Sequence, residues 1–523
     1  MNQKKLKKEE IKTKKQIEEK QNIAHRNSGK QNGEPKVIEL NLSATVAVII
    51  AIIVLIVTVT SVKVITTIIV ADENKKLNND TQAANERVTY VNSTLKDESG
   101  KMVNETDADG NVIQVPVPKG YSASKIEGET TASKGFVIYE GDVDWSTILV
   151  DSESTQSNVA IDEPAFDDDM TVINENMPES NIVQDSNVDE NTAEDATAND
   201  DTTTDTTTPT QEEINIFNLQ KTRNQYVWVP VDDPARIYGV DNKGKIWGKL
   251  YDFSNTGRKA LNWTETNGIM NITSQTSYRE PNVLAISSGC DRDGYSYMHN
   301  SGLGETRYEM LAQELEQNYY EIIESIKKYG GFYIGRYETG GLNGTAVVRK
   351  MDTNIANQNW YTMYKKCLTL KGTNTDVKTS MIFGNLWDEA LEWLIKSGAT
   401  ISDGTTLTYQ LMKNSTTWGN YYNATFNYIA ANAETPLMTE TKAQSTSTRI
   451  PAGSAEYTKA NNVYDMAGNV WDWTTETHST VYRVFRGGDY NYDGNYYPAS
   501  NRHGGYPDYY DYYYGCRSVL WIK

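Results

Sequence analysis

Between Glu39 and Lys63 the chain carries 23 consecutive uncharged residues, including VAVIIAIIVLIVTV from Val46 to Val59. As a helix at about 1.5 Å per residue, such a run is about 34 Å long, enough to cross a hydrocarbon core of about 30 Å. It is apolar on every side, unlike a helix that buries one stripe in a core, so the pattern predicts one transmembrane helix over 40–70. Further on, GFVIYEGDVDW (Gly135 to Trp145) and the stretch around VIQVPVP alternate apolar and polar positions between Gly and Pro, which predicts a small β unit within a stalk over 72–150. QYVWVPVDD (Gln225 to Asp233) reads as a strand ended by Pro230, and GFYIGRYETG (Gly331 to Gly340) as another. Leu311, Leu315, Ile322 and Ile326 fall on one helical face and the run closes on Gly330 and Gly331. Trp387, Ala390, Leu391, Leu394 and Ile395 recur at helical spacing between Asn385, a candidate N-cap, and Gly398, a stop. Helices among short strands and long loops predict an α+β domain over 214–523.

Charge divides the chain further. Residues 1–36 hold eleven Lys or Arg against five Glu, a basic tail that the positive-inside bias keeps cytoplasmic, so the chain after Lys63 is expected outside the cell. The net charge is −20, so the exported part is more acidic still, and nucleic acid is not an expected partner. Residues 151–213 are dominated by Asp, Asn, Glu and Thr, a composition unable to offset about 1–2 kcal/mol of backbone entropy per ordered residue, and read as an acidic disordered linker. As a coil such a linker spans about 40–50 Å and is expected to hold the last domain away from the membrane surface. Cys290, Cys367 and Cys516 are far apart in sequence, without disulfide or metal spacing, and read as small packed residues.

Four motifs follow in order near the C-terminus: NNVYDMAGNVWDWT (Asn461 to Thr474), RVFRGGDY (Arg483 to Tyr490), SNR (Ser500 to Arg502) and GCR (Gly515 to Arg517). The series resembles the formylglycine-generating-enzyme or sulfatase-modifying-factor family, whose members share a variant of the C-type lectin fold. The resemblance runs over Gln225 to Lys523 and is dense in the last 65 residues. It implies a structural Ca²⁺ at Asp465, Gly468, Val470 and Asp472, an all-oxygen set of the kind that ion prefers; the same carboxylates as plain loop acceptors are the alternative. It does not bring the family's catalysis. The paired cysteines of the cysteine oxidases are missing, since Asp489 follows Arg-Gly-Gly and Cys516 stands where the family has Phe. The His-x-x-x-His-x-Glu run of the iron-dependent relatives is missing too. A sulfatase-directed cysteine oxidase is therefore the lesser reading, and the expectation is that the chain is not an enzyme.

From Asp489 to Ser518 the chain uses Tyr, Asp, Asn, Gly, Ser, Arg, His, Cys, Pro and Ala alone, with ten tyrosines. All of these types have codons ending in a pyrimidine, and most remain when the two adenines of an Asn codon are replaced freely. This resembles the variable region of proteins rewritten by diversity-generating retroelements, which carry such a stretch at the end of a C-type lectin scaffold. The resemblance implies a binding face for a protein or other surface ligand. Constant punctuation is expected at Arg486, Gly487, Gly488, Pro498, Ala499, Ser500, Arg502, Pro507, Gly515 and Arg517. The ligand-facing candidates are Asp489, Tyr490, Tyr492, Asp493, Tyr496, Tyr497, His503, Tyr506, Tyr509, Tyr510, Asp511, Tyr512, Tyr513 and Tyr514, with Gly504 and Cys516 also free to vary. Tyr mixed with Ser, Gly, Asn and Asp is the composition of antibody paratopes: rigid amphipathic area at small entropic cost. A fixed sugar-binding face, or a loop that merely follows genomic composition, is the alternative.

Overall fold

The computed structural model describes residues 87–150, 208–261, 263–272, 278–281, 304–341, 344–478 and 482–523. The expected basic tail (1–36), the transmembrane helix (40–70) and residues 151–207 of the acidic linker lie outside the described residues. Among the described residues no helix is long and apolar enough to cross a membrane.

Ten strands carry the architecture: β1 (Tyr121–Ala123), β2 (Val137–Glu140), β3 (Gln225–Pro230), β4 (Gly331–Gly335), β5 (Val377–Met381), β6 (Trp471–His478), β7 (Tyr482–Arg486), β8 (Arg502–Gly505), β9 (Tyr514–Cys516) and β10 (Ser518–Ile522). Six form one sheet in the order β5-β10-β4-β3-β2-β1, antiparallel throughout. The chain's last strand therefore sits inside this sheet, with Leu520 opposite Tyr333 on one side and Thr379 on the other. Alternate residues of β3 enter opposite cores, Val227 and Val229 on one face, Tyr226 and Trp228 on the other. Both faces are thus covered, which explains a strand as uniformly apolar as YVWV. The second sheet runs β8-β7-β6-β9, with β9 parallel to β6 and the rest antiparallel.

Four helices pack around these sheets: α1 (Gln211–Thr222), α2 (Gly304–Tyr329), α3 (Trp360–Thr369) and α4 (Gly384–Lys396). On α2, Leu315, Ile322 and Ile326 are buried as the spacing predicts, and Gly330 follows at φ 78°. On α4, Trp387, Leu391 and Leu394 are buried, each contributing about 1.5–3 kcal/mol, and Gly398 at φ 63° ends the helix. Its N-cap is Phe383, not Asn385, which lies in the first turn and donates to Ile237 O (2.8 Å) and Tyr319 Oη (3.0 Å). A remote carboxylate takes over the capping: Gly384 N donates to Glu280 Oε2 at 2.8 Å. Burial pushes that carboxyl up to about 8.

The division of the chain at Ile214 does not coincide with a division in the fold. β1 and β2, expected in a stalk, extend the main sheet beyond β3, and Glu129 lies between them in sequence. Its buried carboxylate meets Arg336 at 2.7 Å and accepts from Ser124 Oγ (2.7 Å) and Tyr139 Oη (2.9 Å). The helix α1 starts inside the expected linker, on a capping box between Thr210 and Glu213. From α1, Asn215 Nδ2 donates to the Thr147 carbonyl at 3.0 Å. Chain on either side of the acidic segment therefore meets within one fold, and a spacer between a stalk and a separate domain is not what its ends describe.

Removing one partner of a buried ion pair leaves the other uncompensated, so Glu129→Ala should cost about 3–5 kcal/mol, read as a lower urea midpoint. A chain starting at Ile214 exposes the edge of β3 and should aggregate on gel filtration, where the chain starting at Arg87 stays monodisperse.

Candidate functional site

The tyrosine-rich stretch begins where β7 ends and finishes where β9 leads into β10, so both of its ends are fixed in sheets. Beneath it lie three aromatic side chains of the second sheet, Trp471, Trp473 and Phe485, all buried. Their rings meet edge to face, Phe485 at 4.8 Å from Trp471 and 4.9 Å from Trp473 between centroids, a favoured geometry. Two glycines set the entrance. Gly488, at φ 80°, lies so close to Tyr497 that a Cβ would strike its carbonyl oxygen, and Gly468, at φ 73°, stands in the same relation to Asn420.

Two lobes leave this floor, and each is tied to a different support. In the first, Tyr422 N donates to Tyr492 O (2.9 Å), Gly494 N to Asn423 Oδ1 (3.1 Å) and Ala499 N to Ser415 Oγ (3.0 Å). The supporting loop is itself gathered by the Lys442 ammonium, which donates to the carbonyls of Tyr421, Tyr422 and Ala424. In the second lobe, Trp360 N donates to Pro507 O (3.0 Å) and Asn357 N to Asp511 O (2.8 Å), which fastens it to the start of α3. The lobes converge through rings: Tyr490 with Tyr513 at 5.7 Å, and Tyr497 with His503 at 5.7 Å and Trp471 at 4.9 Å.

The expected punctuation is buried, with the Arg486 and Arg517 side chains sealed and that of Arg502 only 6% exposed. The candidates divide. Tyr492, Tyr496, Tyr509, Tyr510, Tyr512 and Tyr513 are exposed, from 37% at Tyr513 to 69% at Tyr510, and so is His503. Tyr490, Asp493, Tyr497, Gly504, Tyr506, Asp511 and Tyr514 are half-buried, the tyrosine rings among them leaning on the floor or on other tyrosines. Asp489 and Cys516 are buried, so neither is displayed. Asp489 accepts from Asn491 N at 2.6 Å, and burial, helped by the charge of Asp511, pushes its carboxyl up to about 6.

The residues expected to hold calcium adopt another arrangement. Asp465 accepts from Thr458 Oγ1 (2.7 Å) and Gly453 N (2.8 Å), and Asp472 from Arg517 Nε (3.2 Å). Gly468 N donates to Gly487 O (2.9 Å), and Val470 N to Glu338 (3.2 Å). The cation among these groups is the Arg517 guanidinium, which also donates to the carbonyls of Gly335 (2.9 Å), Tyr464 (2.7 Å) and Asp465 (3.0 Å). Among the described residues no cluster of three or more His, Cys, Asp or Glu side chains is placed to hold a metal. The guanidinium supplies one positive charge among three buried carboxyls, and Asp472 Oδ1 stays buried without a hydrogen-bond partner. Glu338 completes the group: burial, then the charges of Asp465 and Asp472, hold its carboxyl well above the usual range.

Sequence spacing also missed a pair of thiols. Cys367, on α3, and Cys516, on β9, lie 149 residues apart in the chain, yet their sulfurs stand 3.6 Å apart and both are fully buried. The contact with Cys367 and burial hold the Cys516 thiol well above its ordinary value. A protonated, sealed thiol is a poor nucleophile and a poor metal ligand. Cys290 lies outside the described residues.

Two predictions follow from this geometry. Arg517→Ala leaves three buried carboxyl groups without their cation and should destabilise the fold by about 3–5 kcal/mol in chemical denaturation. The folded Asp489 carboxyl, titrating at about 6, keeps a proton that the unfolded chain releases near 3.8, so its contribution to stability is present at low pH and is lost as pH rises through that window. Asp489→Asn should therefore melt higher than the parent at pH 8 and show no such advantage at pH 4.

No curated protein matches the sequence. Among solved structures the chain is similar to Treponema denticola variable protein 1, at 17% identity over 37% of this chain and 85% of that one, with a TM-score of 0.22. Residues 389–522, a stretch that holds the whole second sheet, Arg-Gly-Gly and β10, match the family model described as the sulfatase-modifying factor enzyme 1-like domain.

Proposed function

We propose that the chain is a display protein whose C-terminal face binds a protein or other surface ligand and is diversified by a retroelement, with the segment at 40–70 anchoring it in the cell membrane and the described domain outside. The observation that carries this reading is the sorting of residues 486–518 by burial. Positions expected to be constant are inside, while six tyrosines stand exposed together on a frame fastened to both sheets. Exposed apolar area gathered on one loop-built face marks an interaction site, and side chains outside the core can change without disturbing packing. No chemistry is asked of the Cys367–Cys516 pair, whose sulfurs are shut away from any substrate.

The test is genetic. The locus should contain a near-copy of codons 487–523 and a reverse-transcriptase gene. Genes from different cells should differ at codons 490, 492, 496, 509, 510, 512 and 513, wherever the copy has adenine, and agree at 486, 487, 502 and 517. A genome with neither the copy nor the enzyme would end the diversification reading.

A further inference from the structure

We infer that the partner of this face, in the form the present sequence gives it, is a cationic protein segment rich in Arg or Lys; the inference rests on the face being a binding site as proposed above. From Asp489 to Ser518 the stretch contains four Asp and no Lys or Glu. Asp493 and Asp511 are half-exposed among the displayed tyrosines. The three arginines within the stretch or at its start are held by partners of their own. Arg486 donates to Asp388 Oδ1 (2.6 Å) and to the carbonyls of Ser500 and Asn501 (3.0 Å each). Arg502 is bound by Glu476 (2.9 Å), by Asp388 and by the Tyr251 carbonyl (2.6 Å), and Arg517 is sealed against Asp472. A further cation, Arg449, borders the face beside Tyr490.

Within the stretch, the surface left to a partner is therefore built from ring faces and carboxylates, with Arg449 at its border. Both attract the same thing. A ring presents its negative quadrupole to a cation, a carboxylate adds its charge, and a guanidinium can stack on the first while pairing with the second. An anionic partner would meet the like charge of Asp493 and Asp511 on this face. Stacking on sugar rings would use the tyrosines and leave the two carboxylates without a role.

The experiment uses the full chain and two defined probes, a labelled nonapeptide of repeated Gly-Arg-Gly and its Gly-Glu-Gly counterpart, followed by fluorescence anisotropy. The Arg peptide should bind and the Glu peptide should not. The double variant Asp493→Asn, Asp511→Asn should weaken binding about tenfold, from about three- to fivefold at each carboxylate, and reduce its salt dependence. Serine at Tyr492, Tyr496, Tyr510 and Tyr512 should abolish it. Arg-peptide binding that both variants leave unchanged would be attraction to the acidic chain at large and would overturn the inference, as would no binding. A random peptide library panned on the full chain separates the two levels. Selected peptides that need the four tyrosines and are enriched in Arg or Lys support the inference. Peptides that need the tyrosines without that enrichment overturn it and leave the binding face standing, and the absence of tyrosine-dependent peptides overturns both.

Discussion

The Arg517 guanidinium is the interaction on which the C-terminal domain depends. It lies in the one residue between β9 and β10, where the second sheet passes into the first. It binds the Asp472 carboxylate of β6, the Gly335 carbonyl at the end of β4, and the carbonyls of Tyr464 and Asp465 ahead of β6. Its own backbone carbonyl accepts from Ile382 N at 2.9 Å, just before α4. A buried charge tolerates little displacement, because each lost hydrogen bond leaves desolvated groups unpaired. One side chain thereby sets the angle at which two sheets meet, and with it the position where the tyrosine-rich stretch is laid down.

With the junction fixed, the chain between β7 and β9 is free to serve display. Its anchors are backbone amides and buried constant residues rather than the side chains that face solvent: Tyr492 and Asp511 are held by their carbonyls, and Gly494 by its N–H. Main-chain anchoring is indifferent to residue type, so the same loop path can carry different side chains. The ring network that runs from Trp471 and Phe485 through Tyr497 to Tyr492 and Tyr496 gives the outer tyrosines a rigid base. Rigidity of this kind reduces the ordering cost of binding.

Local pattern was legible in the sequence, and remote contact was not. The strand at Gln225–Pro230, the helix around Trp387 and its stop at Gly398 follow from apolar spacing and from Gly and Pro. The tyrosine stretch announced itself by residue types that no buried segment would use. The helix α1 also had a local signal, Thr210 three residues before Glu213, hidden by the polar run in front of it. Other features had no local signal. Glu129 finds Arg336 across 207 positions of chain, so nothing near Gly135 marks that β unit as an edge of the main sheet. The same holds for Glu280 capping α4, for Cys367 meeting Cys516, and for Arg517 standing among residues that look like calcium ligands. Asp489 is the instructive case within the site. Its residue type fits a varying position, but its place directly after Gly488 puts the carboxyl under the loop instead of on it.

The central claim is that the frame is indifferent to what the face displays. It is tested most directly by randomising Tyr492, Tyr496, Tyr509, Tyr510, Tyr512 and Tyr513 together among Tyr, Asn, Asp, Ser, Gly and His in the full chain and measuring thermal unfolding across many members. For a domain of this size about 1 kcal/mol moves the midpoint by roughly 2–4 °C, and exposed substitutions usually stay within about 0.5 kcal/mol each. The account predicts cooperative melting within a few degrees of the parent for most members. Loss of cooperative folding in most members would show that these tyrosines hold the domain together, and would contradict the separation of frame from face.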